Sequence, residues 1–96
     1  MKREVFADSL NTAVFTTRFV LDLCSPILYV HHYAEDGAWS FSGAEDCEEK
    51  DLRIISLEEA IEIDNSLLTT ADLAFGWYAY RENKDSKWII RQIGNE

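Results

Sequence analysis

Residues 27–42, ILYVHHYAEDGAWSFS, contain the clearest structural signals in the chain. Their first seven residues are apolar or aromatic on both faces of an extended strand, which is typical of a strand in the interior of a covered sheet. Asp36 and Gly37 follow, a pair that favours a hairpin turn between two strands. Beyond the turn, Trp39 and Phe41 alternate with serines, so this second strand should bury one face and pair back on the first.

Four more strands are predicted outside this hairpin. Residues 13–21, AVFTTRFVL, are rich in β-branched and aromatic types, which favour a strand over a helix. Residues 52–55, LRII, form a short strand after a turn segment rich in charge. Residues 77–81, WYAYR, and residues 88–91, WIIR, are the last two, and the polar loop between them predicts a second hairpin.

One helix is predicted among these strands, and it begins after Ser56. Ser56 and Glu59 have the spacing of a capping box, in which each side chain accepts a hydrogen bond from the other residue's amide. Residues 57–63 then place apolar side chains on one stripe and acids on another, as in an amphipathic surface helix. Residues 64–66, DNS, end this helix, and Ser66 is predicted to cap a short turn that follows.

The order of these elements predicts an α+β fold, with a largely antiparallel β-sheet and one main helix packed on a face. A chain of 96 residues has room for one core, so we expect a single domain. That domain covers residues 13–96. Residues 1–12 are interpreted as an N-terminal arm or a short helix.

No targeting or membrane segment is recognised. Polar residues interrupt the first dozen positions before an apolar run of signal-peptide length can form. No stretch approaches the roughly 18 apolar residues of a membrane span. We therefore expect a cytoplasmic protein without a membrane partner, in which Cys24 and Cys47 remain free thiols.

The negative charge of the chain is concentrated in its middle third. Residues 35–64 carry eleven acids against two bases, whereas the rest of the chain carries seven of each, so this segment accounts for the whole formal charge of −9. A surface of one sign attracts partners of the other. We expect the partner to be a basic protein and not a nucleic acid, because the phosphates of nucleic acids require a basic surface.

The second hairpin carries aromatic residues interleaved with bases, a pattern that also occurs in single-strand nucleic-acid binding. The net charge opposes that interpretation. We expect the aromatic residues to serve core and cross-strand packing, and the bases to lie on the exposed face. The aromatic residues are Trp77, Tyr78, Tyr80 and Trp88, and the bases are Arg81, Lys84, Lys87 and Arg91.

The sequence contains no recognisable motif for catalysis, a metal or a cofactor. His31 and His32 are adjacent in a predicted strand, so their imidazoles point to opposite faces and cannot share one metal ion. The two cysteines lack the pair spacing of structural zinc sites, and neither a nucleophile elbow nor a phosphate-binding glycine loop is present. We predict no enzyme, no metal and no cofactor, with a hydrolase using His31 or His32 as the weakest alternative.

Residues 39–46, WSFSGAED, introduce a resemblance to a known family. The chain is similar to a group of small bacterial domains of uncharacterised function, some of them immunity-protein-like. These domains share a strand, an acidic turn, a tryptophan-to-acid hairpin, a helix region containing an aspartate, and a late glycine-aromatic strand ending in arginine. The counterparts here are residues 26–30, the turn at 36–39, Phe41 and Gly43, the helix at 56–64 with Ser66, and residues 76–81.

The resemblance implies a binding function and no chemistry. Immunity proteins of polymorphic toxin systems are small, cytoplasmic and often acidic, and they neutralise a cognate toxin by covering its active or substrate-binding surface. Such a basic partner would meet the acidic middle third, whose acids adjoin in sequence and are expected to form one negative patch. The predicted partner-binding residues are Glu35, Asp36, Glu45, Asp46, Glu48, Glu49 and Asp51.

An alternative function belongs to a different class. The chain would then be a small-molecule-binding or accessory housekeeping module, in which the regions of Trp39 and Trp77 line a pocket and the acids only keep the protein soluble. Under the main hypothesis, Trp39 and Phe41 belong to the core. Pairing of two copies through an exposed strand edge, giving a homodimer, is left open.

Overall fold

The computed structural model describes residues 6–94. This part of the chain contains six β-strands, two short α-helices and two 3-10 helices, so the predicted α+β class is confirmed. None of the helices described there is long and apolar enough to cross a membrane. The elements are β1 (Ala13–Thr17), α1 (Arg18–Leu23), β2 (Tyr29–His32), β3 (Trp39–Ser42), β4 (Leu52–Ser56), α2 (Leu57–Ile63), β5 (Trp77–Tyr80) and β6 (Ile89–Gln92), and the 3-10 helices span Glu49–Asp51 and Asn65–Thr70.

The strands form one sheet in the order β4-β1-β3-β2-β5-β6. Every neighbouring pair is antiparallel except β1 and β3, which run parallel, so the sheet is largely antiparallel, as predicted. Both predicted hairpins, β2–β3 and β5–β6, are present. The parallel contact requires a crossover between β1 and β3, and the segment that contains α1 and β2 provides it.

The loop of the β2–β3 hairpin is longer than the two-residue turn typical of an Asp-Gly pair. Residues 33–38 connect the two strands. The amide of Tyr33 donates to the Ala38 carbonyl at 2.9 Å, and the amide of Gly37 donates to the Tyr33 carbonyl at 3.0 Å. Gly37 has a φ of 73°, in the left-handed region that glycine adopts without steric cost.

One face of the sheet, which we call the covered face, carries the hydrophobic core. Short helical segments pack on it, through Val20 of α1, Leu57 of α2 and Leu67 of the second 3-10 helix. Several short segments therefore cover this face together, whereas the sequence predicted that one main helix would cover it. Apolar strand residues at most 1% exposed on this face are Val14, Val30, Trp39, Phe41 and Ala79.

The other face of the sheet, which we call the open face, carries exposed or half-buried side chains. Directly paired strand residues point to the same face, and residues alternate between the faces along each strand. Ile54 on β4 is 66% exposed, and Arg91 on β6 is the one charged side chain that the described strands direct to this face. The strand residues on the open face include Phe15, Tyr29, His31, Ser40, Ser42, Leu52, Ile54, Tyr78, Tyr80, Ile89 and Arg91.

Helix α1 occupies the second half of a predicted strand. The strand predicted over residues 13–21 ends at Thr17, whose hydroxyl accepts from the Val20 amide at 3.2 Å and caps the helix. The helix ends at Leu23, and the next residue, Cys24, caps it with a φ of 57°. The cap and the burial of Val20 in the core outweigh the β-propensity of the apolar residues in this segment.

Helix α2 begins at the predicted residue. Glu59 donates from its amide to the Ser56 hydroxyl at 3.1 Å and accepts from the Ser56 amide at 3.2 Å, which is the predicted capping box. The prediction of Ser66 as the next cap is wrong. That 3-10 helix starts at Asn65, so the extended residue before it is Asp64, whose carboxylate accepts from the Ser66 amide at 3.0 Å.

The N-terminal segment packs against the core from Phe6 onward. Phe6 is 8% exposed, and its ring meets the Trp39 ring edge-on at 4.8 Å. The amide of Glu58 donates to the Leu10 carbonyl at 3.1 Å, which ties the segment to the start of α2. The described part of the segment contains turns and no helix. The part of the predicted arm at residues 1–5 lies outside the described residues.

Candidate functional site

The acids predicted to bind a partner lie at opposite ends of the sheet. β2 and β3 are antiparallel neighbours, so the loop that joins them and the loop that follows β3 leave the sheet at opposite ends. Glu35 and Asp36 lie in the first loop. The second loop includes residues 44–50, which we call the acidic loop. The structure therefore divides these acids between two regions. The acids of the acidic loop are Glu45, Asp46, Glu48 and Glu49.

The acidic loop is exposed throughout residues 44–50. The one base within it is Lys50, whose ammonium lies 3.8 Å from a Glu48 carboxylate oxygen, with side-chain exposures of 76% and 74%. Such an exposed pair contributes little to stability. The Ser25 hydroxyl donates to Glu45 at 2.6 Å and ties the loop to the segment after α1. Four carboxylates thus face solvent with one base among them.

Asp51 contributes to the structure at the base of the acidic loop. It is 4% exposed. Its carboxylate accepts from Nε of Arg18 at 2.7 Å and from the Glu48 amide at 3.0 Å. The Arg18 hydrogen bond, followed by the backbone one, holds the pKa of Asp51 below its ordinary value. The carboxylate is already paired, so Asp51 is separated from the exposed acids.

Five near-parallel rings form what we call the aromatic strip of the open face. Tyr29 pairs with Tyr80 and His31 with Tyr78 across β2 and β5, so these rings meet directly. The His31 ring centroid lies 5.2 Å from that of Tyr78 and 5.5 Å from that of Tyr33. The Tyr29 and Tyr80 centroids are 6.5 Å apart, with their planes at 23°. The cross-strand packing predicted for Tyr78 and Tyr80 is confirmed.

A shallow groove of about 520 Å³ lies at one end of the aromatic strip. Apolar and aromatic side chains line it, among them Tyr29, Tyr80 and Ile89, together with Ala44 and Glu82. Ala44 is the first residue of the acidic loop, so the groove joins the aromatic strip to that loop. Glu82 is exposed and adds a carboxylate at this position.

His31 is the titratable group at the centre of the aromatic strip. Burial lowers its pKa from the ordinary value of 6.5. Its Nδ1 is buried without a hydrogen-bond partner among the described residues. Arg91, which pairs with Tyr78, is the charged residue directed to the same face from β6. The neutral imidazole is therefore the favoured form in the folded protein.

We expect acidification to destabilise the protein through His31. Because its folded-state pKa lies below the unfolded value, the unfolded chain binds more protons between the two values, and the free energy of unfolding rises with pH there. The stabilisation is complete above about pH 6.5 and is lost as the pH falls from that value through the folded-state pKa. Melting temperatures measured from about pH 7.5 to about pH 5.5 should fall less for His31→Phe than for the wild type. An equal fall in both proteins would contradict this expectation.

His32 and Trp39 lie on the covered face, inside the core. Nδ1 of His32 is 2.7 Å from the Leu73 carbonyl oxygen, and its ring stacks on Trp39 at 3.8 Å. Trp39 is 1% exposed, and its ring nitrogen donates to Asp8 at 3.2 Å. The two adjacent histidines thus point to opposite faces, as predicted. Because the Trp39 ring is enclosed by protein, it does not line an open pocket.

Arg81 is buried, which corrects its predicted place on an exposed face. Its side chain is 2% exposed and pairs with Asp64. Two of its nitrogens donate to the Ile27 carbonyl oxygen, at 2.9 and 3.0 Å. The guanidinium also lies 4.2 Å over the Trp88 ring. These partners compensate the cost of removing the cation from water, and they join the end of β5 to the chain before β2.

A wider cleft of about 980 Å³ opens between α1, α2 and the loop after β5. Its lining is partly apolar, from Val20 and Ile27, and partly acidic, from Glu59. Cys24 also lines the cleft, and both Cys24 and Cys47 are exposed free thiols. Within residues 6–94, no group of three or more His, Cys, Asp or Glu side chains is placed to hold a metal ion.

The aromatic strip is the surface feature that the sequence patterns alone did not single out. Part of its signal is present, since Tyr29, His31 and Tyr33 recur at every second residue, as do Tyr78 and Tyr80, which places each set on one face of its strand. The pairing of β2 with β5 brings the two sets together. That pairing joins segments far apart in the chain, so no local pattern predicts it.

Comparison of the chain with models of known protein families, with curated proteins and with solved structures found no match.

Proposed function

We propose that this chain is a non-enzymatic, immunity-protein-like binding domain of the bacterial cytoplasm that neutralises a basic partner protein through an acidic surface. The observation that carries the proposal is the acidic loop, where four exposed carboxylates have one base among them. The partner is a basic protein, such as a cognate toxin. Asp51 is excluded from the binding surface because it is already paired with Arg18.

The charge of the acidic loop favours fast association with a basic surface. Opposite charges steer two proteins together and align them before contact, which raises the association rate constant. A toxin that binds nucleic acid presents basic residues to phosphates, and a group of carboxylates competes for the same residues. Salt screens this attraction, so the affinity for the partner should fall as the ionic strength rises.

Reversal of the acidic loop's charge is expected to slow binding strongly. The test variant combines Glu45→Lys, Asp46→Lys, Glu48→Lys and Glu49→Lys. At low salt, its association rate constant for the partner should fall by about tenfold to a thousandfold. Its melting temperature should stay close to that of the wild type, because substitutions at exposed positions change stability little. Surface plasmon resonance over a range of salt concentrations measures the rates.

The partner for this test is obtained by capture from a lysate of the native host at low salt, with elution by a salt gradient. A matched variant reverses four exposed acids outside the acidic loop and tests whether net charge alone is responsible. It combines Glu35→Lys, Asp36→Lys, Glu58→Lys and Asp72→Lys. Its association should slow much less. Unchanged binding by the loop variant, or equal slowing by both variants, would overturn the assignment to the acidic loop.

A further inference from the structure

We infer that the open face is the docking surface for the basic partner, and that the groove at the end of the aromatic strip binds an arginine side chain of that partner. This inference rests on the proposed function. It adds the surface and the chemistry of recognition, which the acidic loop alone does not specify. Its distinguishing consequence is a preference for arginine over lysine at equal charge.

The side chains that line the groove match a guanidinium. The rings of Tyr29 and Tyr80 lie side by side with centroids 6.5 Å apart, and both are directed to the open face. The planar guanidinium of an arginine stacks on such ring faces, while the methylene chain of the same side chain packs on Ile89. Glu82 lines the same groove, and a carboxylate there accepts two parallel N–H donors from arginine, which an ammonium cannot provide.

The charges around the groove select a cation. The groove continues into the acidic loop at Ala44. Arg81 also lines it, but this side chain is 2% exposed and paired with Asp64. A ligand bearing phosphate would meet the repulsion of the acidic loop. A second copy of the chain would add a further net charge of −9, which opposes association. Arg91 is the one charged side chain that the described strands direct to the open face, and it lies on β6 two residues from the groove residue Ile89. The four carboxylates of the acidic loop and that of Glu82 outnumber this base, so a basic protein is the occupant that the charge distribution favours.

The open face also supplies the apolar area that a docked protein needs. Beside the groove, Tyr29 is 37% exposed and Ile89 is 42% exposed. On β1 and β4, at the other end of the strand order but on the same face, Phe15 is 36% exposed and Ile54 is 66% exposed. Tyrosine is enriched in the centres of protein interfaces, where it pairs with arginine and other anchoring residues of the partner. The acidic loop then lies at the rim of the interface, where charge acts on the association rate.

The test uses hexa-arginine and hexa-lysine peptides as probes of equal charge. Isothermal titration calorimetry at low salt should show that the wild type binds hexa-arginine about threefold to thirtyfold more tightly than hexa-lysine. A Tyr29→Thr/Tyr80→Thr variant should lose this preference and keep its affinity for hexa-lysine. A Phe15→Thr/Ile54→Thr variant, changed on the same face away from the groove, should keep the preference.

Nuclear magnetic resonance of the wild type provides a readout that needs no variant. Hexa-arginine should shift the ring resonances of Tyr29 and Tyr80 and leave those of Phe15 unchanged.

Equal affinities for the two peptides, an unchanged preference in the tyrosine variant, or the absence of hexa-arginine binding would each overturn the inference. The four-lysine variant of the acidic loop separates the two proposals. If this variant binds both peptides more weakly than the wild type does, while the wild type binds the two peptides equally well, the acidic loop is supported and the groove is not.

Discussion

An Arg81→Met variant is expected to lose about 3–5 kcal/mol of unfolding free energy, because removal of one partner from a buried ion pair leaves the other uncompensated. The guanidinium donates to the Ile27 carbonyl oxygen, to the Ser66 hydroxyl and to the carboxylate of Asp64. Methionine keeps an apolar stem near Trp88 but donates to none of these oxygens. The loss is a large share of the 5–15 kcal/mol that stabilises a typical domain.

Urea unfolding followed by circular dichroism measures this loss. The matched control is Arg91→Met, which removes an exposed arginine from β6 and should change the unfolding free energy by about 0.5 kcal/mol or less. Arg81→Lys should lie between the two, since lysine keeps the charge but lacks the planar fork that reaches several acceptors. A loss below about 1 kcal/mol in Arg81→Met would show that the buried network does not stabilise the fold.

A Trp39→Ala variant is expected to lose a similar amount, about 3–5 kcal/mol, because truncation of a large core aromatic residue leaves a cavity. The Trp39 ring stacks on His32 at 3.8 Å and meets the Phe6 ring edge-on at 4.8 Å. Its loss also leaves Asp8 without the donor that the indole provides. Together with the Arg81 variant, this change tests the two features that join distant parts of the chain.

The same unfolding experiment, with two companion variants, separates packing from other roles of Trp39. Trp39→Phe should lose less, since a phenyl ring keeps most of the contacts and forfeits the indole hydrogen bond, worth about 0.5–1.5 kcal/mol. Ser40→Ala, the next residue on β3 and directed to the open face, should be nearly neutral. Full stability of Trp39→Ala together with loss of a small-molecule ligand would contradict the core assignment and favour a pocket.

The positions of the strands and of helix α2 were predictable because their signals are local. The alternation of Trp39 and Phe41 with serines defined a half-buried strand, and the spacing of Ser56 and Glu59 placed the start of α2 at the right residue. Helix α1 was missed for an equally local reason. Its cap is a single hydroxyl, that of Thr17, inside a run of residues that favour strands.

The candidate site was only partly predictable. Exposure of the four acids of the acidic loop follows from their density, since closely spaced carboxylates stay in water unless they are paired. The pairing of Asp51 with Arg18 joins residues 33 positions apart, and no local pattern indicates it. The burial of Arg81 depends in the same way on Ile27, which lies 54 positions before it.

The sequence by itself determined the type of most elements, helix α1 excepted, together with the α+β class and the concentration of negative charge, because hydrophobic period, capping spacing and charge are properties of neighbouring residues. The tertiary structure decided the order of the strands, and with it which face of the sheet stays open. It also separated Glu35 and Asp36 from the acidic loop and assembled the aromatic strip. These features depend on which distant segments pair, and that is settled by the burial of one shared core.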